Sequence, residues 1–111
     1  SINTCLGTDS LATMAHSPGE PLALNLFSEM RRMATTFPML TPQRILEMAT
    51  VNAAKALGRA HELGQIAPGA LADLVALPRG NSSDLYETIL SHRGNVVASM
   101  VQGQWAVPPA T

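Results

Sequence analysis

An α+β fold is predicted by the order in which apolar patterns follow one another along this chain. A short apolar run, Ile2 to Leu6, stops at Gly7. Apolar residues then recur at spacings of three and four from Leu22 onward, and after Gly64 the period changes again to segments that read as strands. The expectation is a strand, a loop, helices, and a final set of strands, which is an α+β fragment.

Each element has a local reason. Ile2 to Leu6 reads as a strand, with Thr8, Asp9 and Ser10 gathered at its C-terminal end. From Leu11 to Pro21 the composition shifts to Met, His, Ser, Pro and Gly, the mark of a loop. Leu22, Leu26, Met30, Met33 and Phe37 form one apolar stripe on a helix, with Pro21 in its first turn. Pro38 ends that helix, and Thr41 with Pro42 supplies the cap and first residue of the next. Ile45, Met48, Ala49, Ala53, Ala56 and Leu57 give this second helix its buried face up to Gly58, and a short turn from Arg59 ends at Gly64. Gln65 to Ala67 can pair in a sheet, Pro68 and Gly69 suit a type II turn, and Leu71 to Leu77 reads as a strand. Asp84 and Glu87 stand like a capping box before a helix reaching about Ser91. Val96 to Val101 and Gln104 to Val107 then flank Gln102 and Gly103 as a hairpin.

The bulk properties narrow the function. A chain of 111 residues, 46% hydrophobic and 14% charged, is globular in type. Seven basic and eight acidic side chains give a net charge of −1, and Arg31 with Arg32 is the largest basic cluster, so neither nucleic acid nor an anionic membrane is expected as a partner. The one cysteine, Cys5, forms no internal disulfide, which fits a cytoplasmic protein. It reads as a small buried hydrophobe on the first strand. The N-terminus has neither a signal peptide nor a methionine, and an excised segment is the expectation.

The chemistry-bearing residues are few. Asp9 places a carboxylate directly after a strand, where it either caps the turn or helical segment that follows or, in a barrel, joins the catalytic groups that converge at strand ends. His16, His61 and His92 lack the spacing that would put two imidazoles on one metal, and they read as structural or solvent-facing. Thr8 and Ser10 flank Asp9 and could bond its carboxylate or shape the turn. Asp73 reads as a buried carboxylate bonded to nearby backbone amides. There is no nucleophile elbow, phosphate-binding glycine loop or Cys-x-x-Cys pair.

The segments CLGTDSLAT, FSEMRRMA, LTPQRILEMATVNAAKALG, LGQIAPGALADLVALP and VQGQW, in this order, resemble the amidohydrolase superfamily. The resemblance is closest to its deaminase and chlorohydrolase branch, which includes adenosine-analogue and aminodeoxyfutalosine deaminases and triazine hydrolases. It implies that residues 1–63 are the last strand and following helices of a metal-dependent (β/α)8 barrel. Residues 64–111 would be the C-terminal strands of a small composite β-sandwich. It implies further that Asp9 is both metal ligand and catalytic carboxylate for a divalent ion, zinc first and iron second, which lowers the pKa of a bound water toward ~7. The remaining ligands would precede Ser1, so the fragment alone is expected to be inactive. His16, in the loop after Asp9, is the candidate substrate contact. The implied parent is a hydrolytic deaminase, or a dechlorinase, of an N-heterocyclic small molecule. The competing expectation is a noncatalytic interaction domain that retains the C-terminal fold. Strands without neighbours also lead us to expect self-association of the fragment.

Overall fold

Asn25 sets the start of the first helix. Its backbone is extended, and its side-chain oxygen accepts hydrogen bonds from the amides of Phe27 and Ser28 at 2.9 and 3.3 Å, so helix α1 spans Leu26–Thr36. The helix therefore begins at Leu26, later than the pattern from Pro21 implied. The computed structural model describes residues 2–8 and 25–110, and Pro21 and Leu22 lie outside them, as do Asp9, Ser10 and His16.

Helix α2 (Pro42–Ala49) opens as its sequence dictates, with the Thr41 hydroxyl accepting from the Arg44 amide at 3.3 Å and proline at the first position. The single helix expected up to Gly58 is instead two. At Thr50 the backbone turns to φ −123° and ψ −91°, and the Thr50 hydroxyl donates to the Leu46 carbonyl at 2.8 Å before α3 (Val51–Ala56) begins. Gly64 lies against this break. A Cβ added there would sit 2.7 Å from the Thr50 carbonyl oxygen, so only glycine lets the Arg59–Gly64 turn come so close.

The break rotates α3 relative to the stripe drawn through one continuous helix. Ala54 is buried, whereas Ala56 is exposed and Leu57 is 70% exposed, which corrects their assignment to the buried face. The end of α3 is closed by the Gly58 and Arg59 amides, which donate to the Lys55 and Ala54 carbonyls at 3.0 and 2.9 Å.

Helix α4 (Leu85–Leu90) is capped by Asp84, whose carboxylate accepts from the Tyr86 and Glu87 amides. It packs against α1 and α2. Met30, Ile45 and Leu90 form the buried centre, with Leu6, Phe27, Met33, Leu40 and Ile89 packed around it. Met30 and Met48 are buried and Met33 is half-buried, so the methionines serve the core, as their spacing implied. Leu90 comes from the strand-rich half of the sequence, yet it completes the core of the helical half.

Three strands, β1 (Leu74–Ala76), β2 (Ala98–Val101) and β3 (Gln104–Val107), form an antiparallel sheet in the order β1-β2-β3. Val75 pairs with Ser99 and Met100 with Trp105, and a bulge interrupts the second ladder between Ser99 and Met100. The expected hairpin is present. At its tip Gln102, with φ 50°, donates its amide to an Asp73 carboxylate oxygen at 2.7 Å, while the Gly103 amide reaches the Ala72 carbonyl at 3.1 Å. The Pro68-Gly69 turn is closed by the Ala70 amide on the Ala67 carbonyl.

Two expected strands are absent among the described residues. Ile2 to Leu6 has no strand beside it, and its Leu6 amide donates to the Met48 carbonyl of α2 at 3.0 Å. Gln65 to Ala67 also stands outside the sheet, with Ile66 90% exposed. Both cases have one cause: a strand is defined by a hydrogen-bonded neighbour, and local pattern does not supply one.

Candidate functional site

The site is approached along residues 2–8, which lie over the junction of α2 and α3. Besides the Leu6 bond to Met48, Asn52 donates its side-chain amide to the Thr4 carbonyl at 3.0 Å, and Asn3 donates its own to the Asn52 carbonyl at 2.9 Å. Leu6 also packs on the helical core. The segment thus runs along the helices by backbone recognition and reaches Thr8, which is half-buried, immediately before Asp9.

Asp9 and His16, the two residues singled out for chemistry, lie outside the described residues, and so does Ser10. Among the described residues, no group of three His, Cys, Asp or Glu could hold a metal ion. The described residues therefore do not by themselves fit a metal site.

His92, Arg31 and Asp73 have structural employment. His92 meets Phe27 edge-on, with ring centroids 5.0 Å apart, and its Nε2 lies 3.2 Å from the Gly94 carbonyl. Arg31 spans α1 and the end of α4, donating to the His92 carbonyl and to Ser28 Oγ. Partial burial, and then the like charge of Arg93, lower the Arg31 pKa from its ordinary value. Asp73 bonds a backbone amide as expected, but it is exposed, which corrects its assignment as buried. Cys5 is also exposed, contrary to its reading as a buried hydrophobe, because the segment carrying it lies on the helices and not within a sheet. His61 is exposed on the turn after α3.

An open groove of about 740 Å³ lies between residues 2–4 and the helices, with Met33, Phe37, Arg44 and Lys55 among its walls. It borders the beginning of the segment, whereas Asp9 follows its end.

Sequence reasoning overlooked Asn3 and Asn52. Asparagine inside a helix is unfavourable because its side chain competes for backbone hydrogen bonds, and that anomaly was the available signal.

Comparison with known proteins places these features in context. The amidohydrolase family profile matches residues 1–106. A 5-methylthioadenosine/S-adenosylhomocysteine deaminase from Saccharophagus degradans is 34% identical over 107 residues, which covers 82% of this chain and 22% of that protein. A 5'-deoxyadenosine deaminase from Methanosarcina mazei is 38% identical over 81 residues, covering 67% and 17%. An S-triazine hydrolase from Gordonia rubripertincta is 32% identical over 62 residues, covering 50% and 13%. Among solved structures, N-acetylglucosamine-6-phosphate deacetylase from Pasteurella multocida superposes with a TM-score of 0.53 at 24% identity, covering 80% of this chain and 20% of that one, a likeness of fold. The chain thus spans about a fifth of the length of such relatives.

Proposed function

The chain belongs to the amidohydrolase family, and from that premise we propose that it is the C-terminal portion of a metal-dependent hydrolytic deaminase of an adenosine-type N-heterocycle. The observation that carries this reading is the match over residues 1–106 together with relatives named as deaminases of adenosine derivatives. In this reading residues 1–63 close a (β/α)8 barrel, and residues 64–111 contribute strands to a composite sandwich.

Asp9 is the residue to which we assign the chemistry. Its carboxylate is one donor to a divalent ion, zinc before iron, and the other donors belong to sequence beyond these 111 residues. Such an ion, when bound, lowers the pKa of a water toward ~7. Asp9 accepts the proton of the attacking water. Oxygen bonds to the ring carbon, the proton that Asp9 took passes to the amino nitrogen, the carbon–nitrogen bond breaks, and the amino group leaves as ammonia while the oxygen and its remaining proton stay with the ring. His16, in the segment that follows, is assigned to substrate contact.

The S-triazine hydrolase among the relatives favours a second reading, in which the same water displaces a leaving group, chloride included, from a triazine ring. The isolated 111-residue chain is inactive in either reading, and it self-associates through unpaired strand edges. Release of ammonia from 5'-methylthioadenosine, S-adenosylhomocysteine, 5'-deoxyadenosine and amino-triazines, and of chloride from chloro-triazines, measured with the protein extended to its relatives' full length, decides between the substrates. Turnover of an adenosine derivative supports the first reading, triazine turnover alone supports the second, and no turnover of any of them favours a noncatalytic interaction domain.

A further inference from the structure

We propose that Asn52 is a positioning residue for Asp9, acting through a reciprocal amide clamp that fixes the backbone of residues 3–6 on the junction between α2 and α3. The inference rests on the role of Asp9 given above.

The junction is built to receive a backbone. In an unbroken helix the Met48 carbonyl would accept from the amide four residues on, that of Asn52. The break at Thr50 releases it, and it accepts instead from Leu6 at 3.0 Å. Asn52 adds a donor beside that acceptor, its Nδ2 bonding the Thr4 carbonyl at 3.0 Å, and the Asn52 carbonyl takes the Asn3 side-chain amide at 2.9 Å. Residues 3, 4 and 6 are thus held by donors and acceptors that alternate between the two partners. Gly64 approaches the same junction closely, since a Cβ there would lie 2.7 Å from the Thr50 carbonyl oxygen.

The clamp matches a positioning task better than a stabilising one. Each hydrogen bond adds little net stability, because folding exchanges it for bonds to water. A reacting carboxylate displaced by about 1 Å, by contrast, can lose about a hundredfold in rate. From Leu6 only Gly7 and Thr8 intervene before Asp9, so a shift of the clamped backbone has few bonds in which to be absorbed. The same arrangement gives a role to Asn52 at the second position of the six-residue helix α3.

The test uses the protein extended to its relatives' full length, loaded with cobalt(II) as the spectroscopic probe, in Asn52→Ala, Asn3→Ala and Asp9→Ala forms. For Asn52→Ala we expect an altered visible cobalt absorption band and a kcat about tenfold to a hundredfold lower with little change in KM. Asn3→Ala, which removes the other half of the clamp, is expected to shift both readouts in the same direction by less. A folded Asn52→Ala protein with wild-type cobalt spectrum and kcat overturns the proposal. Should that variant fail to fold, the exposed Asn3 decides, and wild-type behaviour of Asn3→Ala has the same consequence. If Asp9→Ala itself keeps metal and turnover, the functional reading falls. If it loses both while the asparagine variants match wild type, the clamp alone falls.

Discussion

Ile45 is the side chain on which most of the described packing converges. It has no exposed surface and sits between α1, α2 and α4 with Met30 and Leu90. Ile45→Ala should cost about 2–5 kcal/mol, read as a lower denaturant midpoint, because the ring of helices around it cannot close fully on the cavity. Asp84→Ala tests a smaller term, the loss of two amide acceptors at the start of α4, and should cost about 1 kcal/mol in the same assay. Ile45 was readable from helical spacing and Asp84 from capping grammar, since both signals lie within a few residues of sequence. Asn52 was not readable in this way. Its partners, Asn3 and Thr4, stand 49 and 48 positions away, and nothing in the neighbouring residues announces them.

At the scale of elements, the break at Thr50 governs how the helices relate to the segment that leads to Asp9. Two glycines at the ends of adjoining turns separate its causes. Both have positive φ, but a Cβ at Gly58 meets nothing within 4 Å, whereas one at Gly64 meets the Thr50 backbone. Gly58→Ala should therefore cost about 1 kcal/mol of backbone strain, and Gly64→Ala clearly more, with thermal melting of the pair as the comparison. Equal losses would show that Gly64 does not wedge the junction. The starts of α2 and α4 and the β2–β3 hairpin were legible because caps and turn residues act locally. The kink was not, since the apolar spacing runs on through the weak helix formers Thr50, Val51 and Asn52, and the close approach of Gly64 to Thr50 is a contact that local sequence does not name. Ile2 to Leu6 and Gln65 to Ala67 have strand-like composition, yet their pairing depends on neighbours that composition cannot name.

Across the whole molecule, the helices enclose the core and the sheet stays open. Val75, Val101, Trp105 and Val107 are all exposed, and among the described residues β1 and β3 are the edge strands of the sheet. Light scattering on the isolated 111-residue chain should accordingly show mass rising with concentration, whereas a monomer at every concentration would remove the proposed self-association. The family could be read from the order of short motifs along nearly the full chain, while for the reaction centre the sequence offers one candidate carboxylate, Asp9, outside the described residues. In the proposed reading that limit is physical, because a barrel metal centre draws on several strands and a chain about a fifth as long as its relatives carries few of them. The most direct measurement of the central claim is elemental metal analysis of the protein extended to its relatives' full length, with and without Asp9→Ala. The account predicts a stoichiometric divalent ion in the wild type and its loss in the variant; equal metal content in both proteins would contradict it.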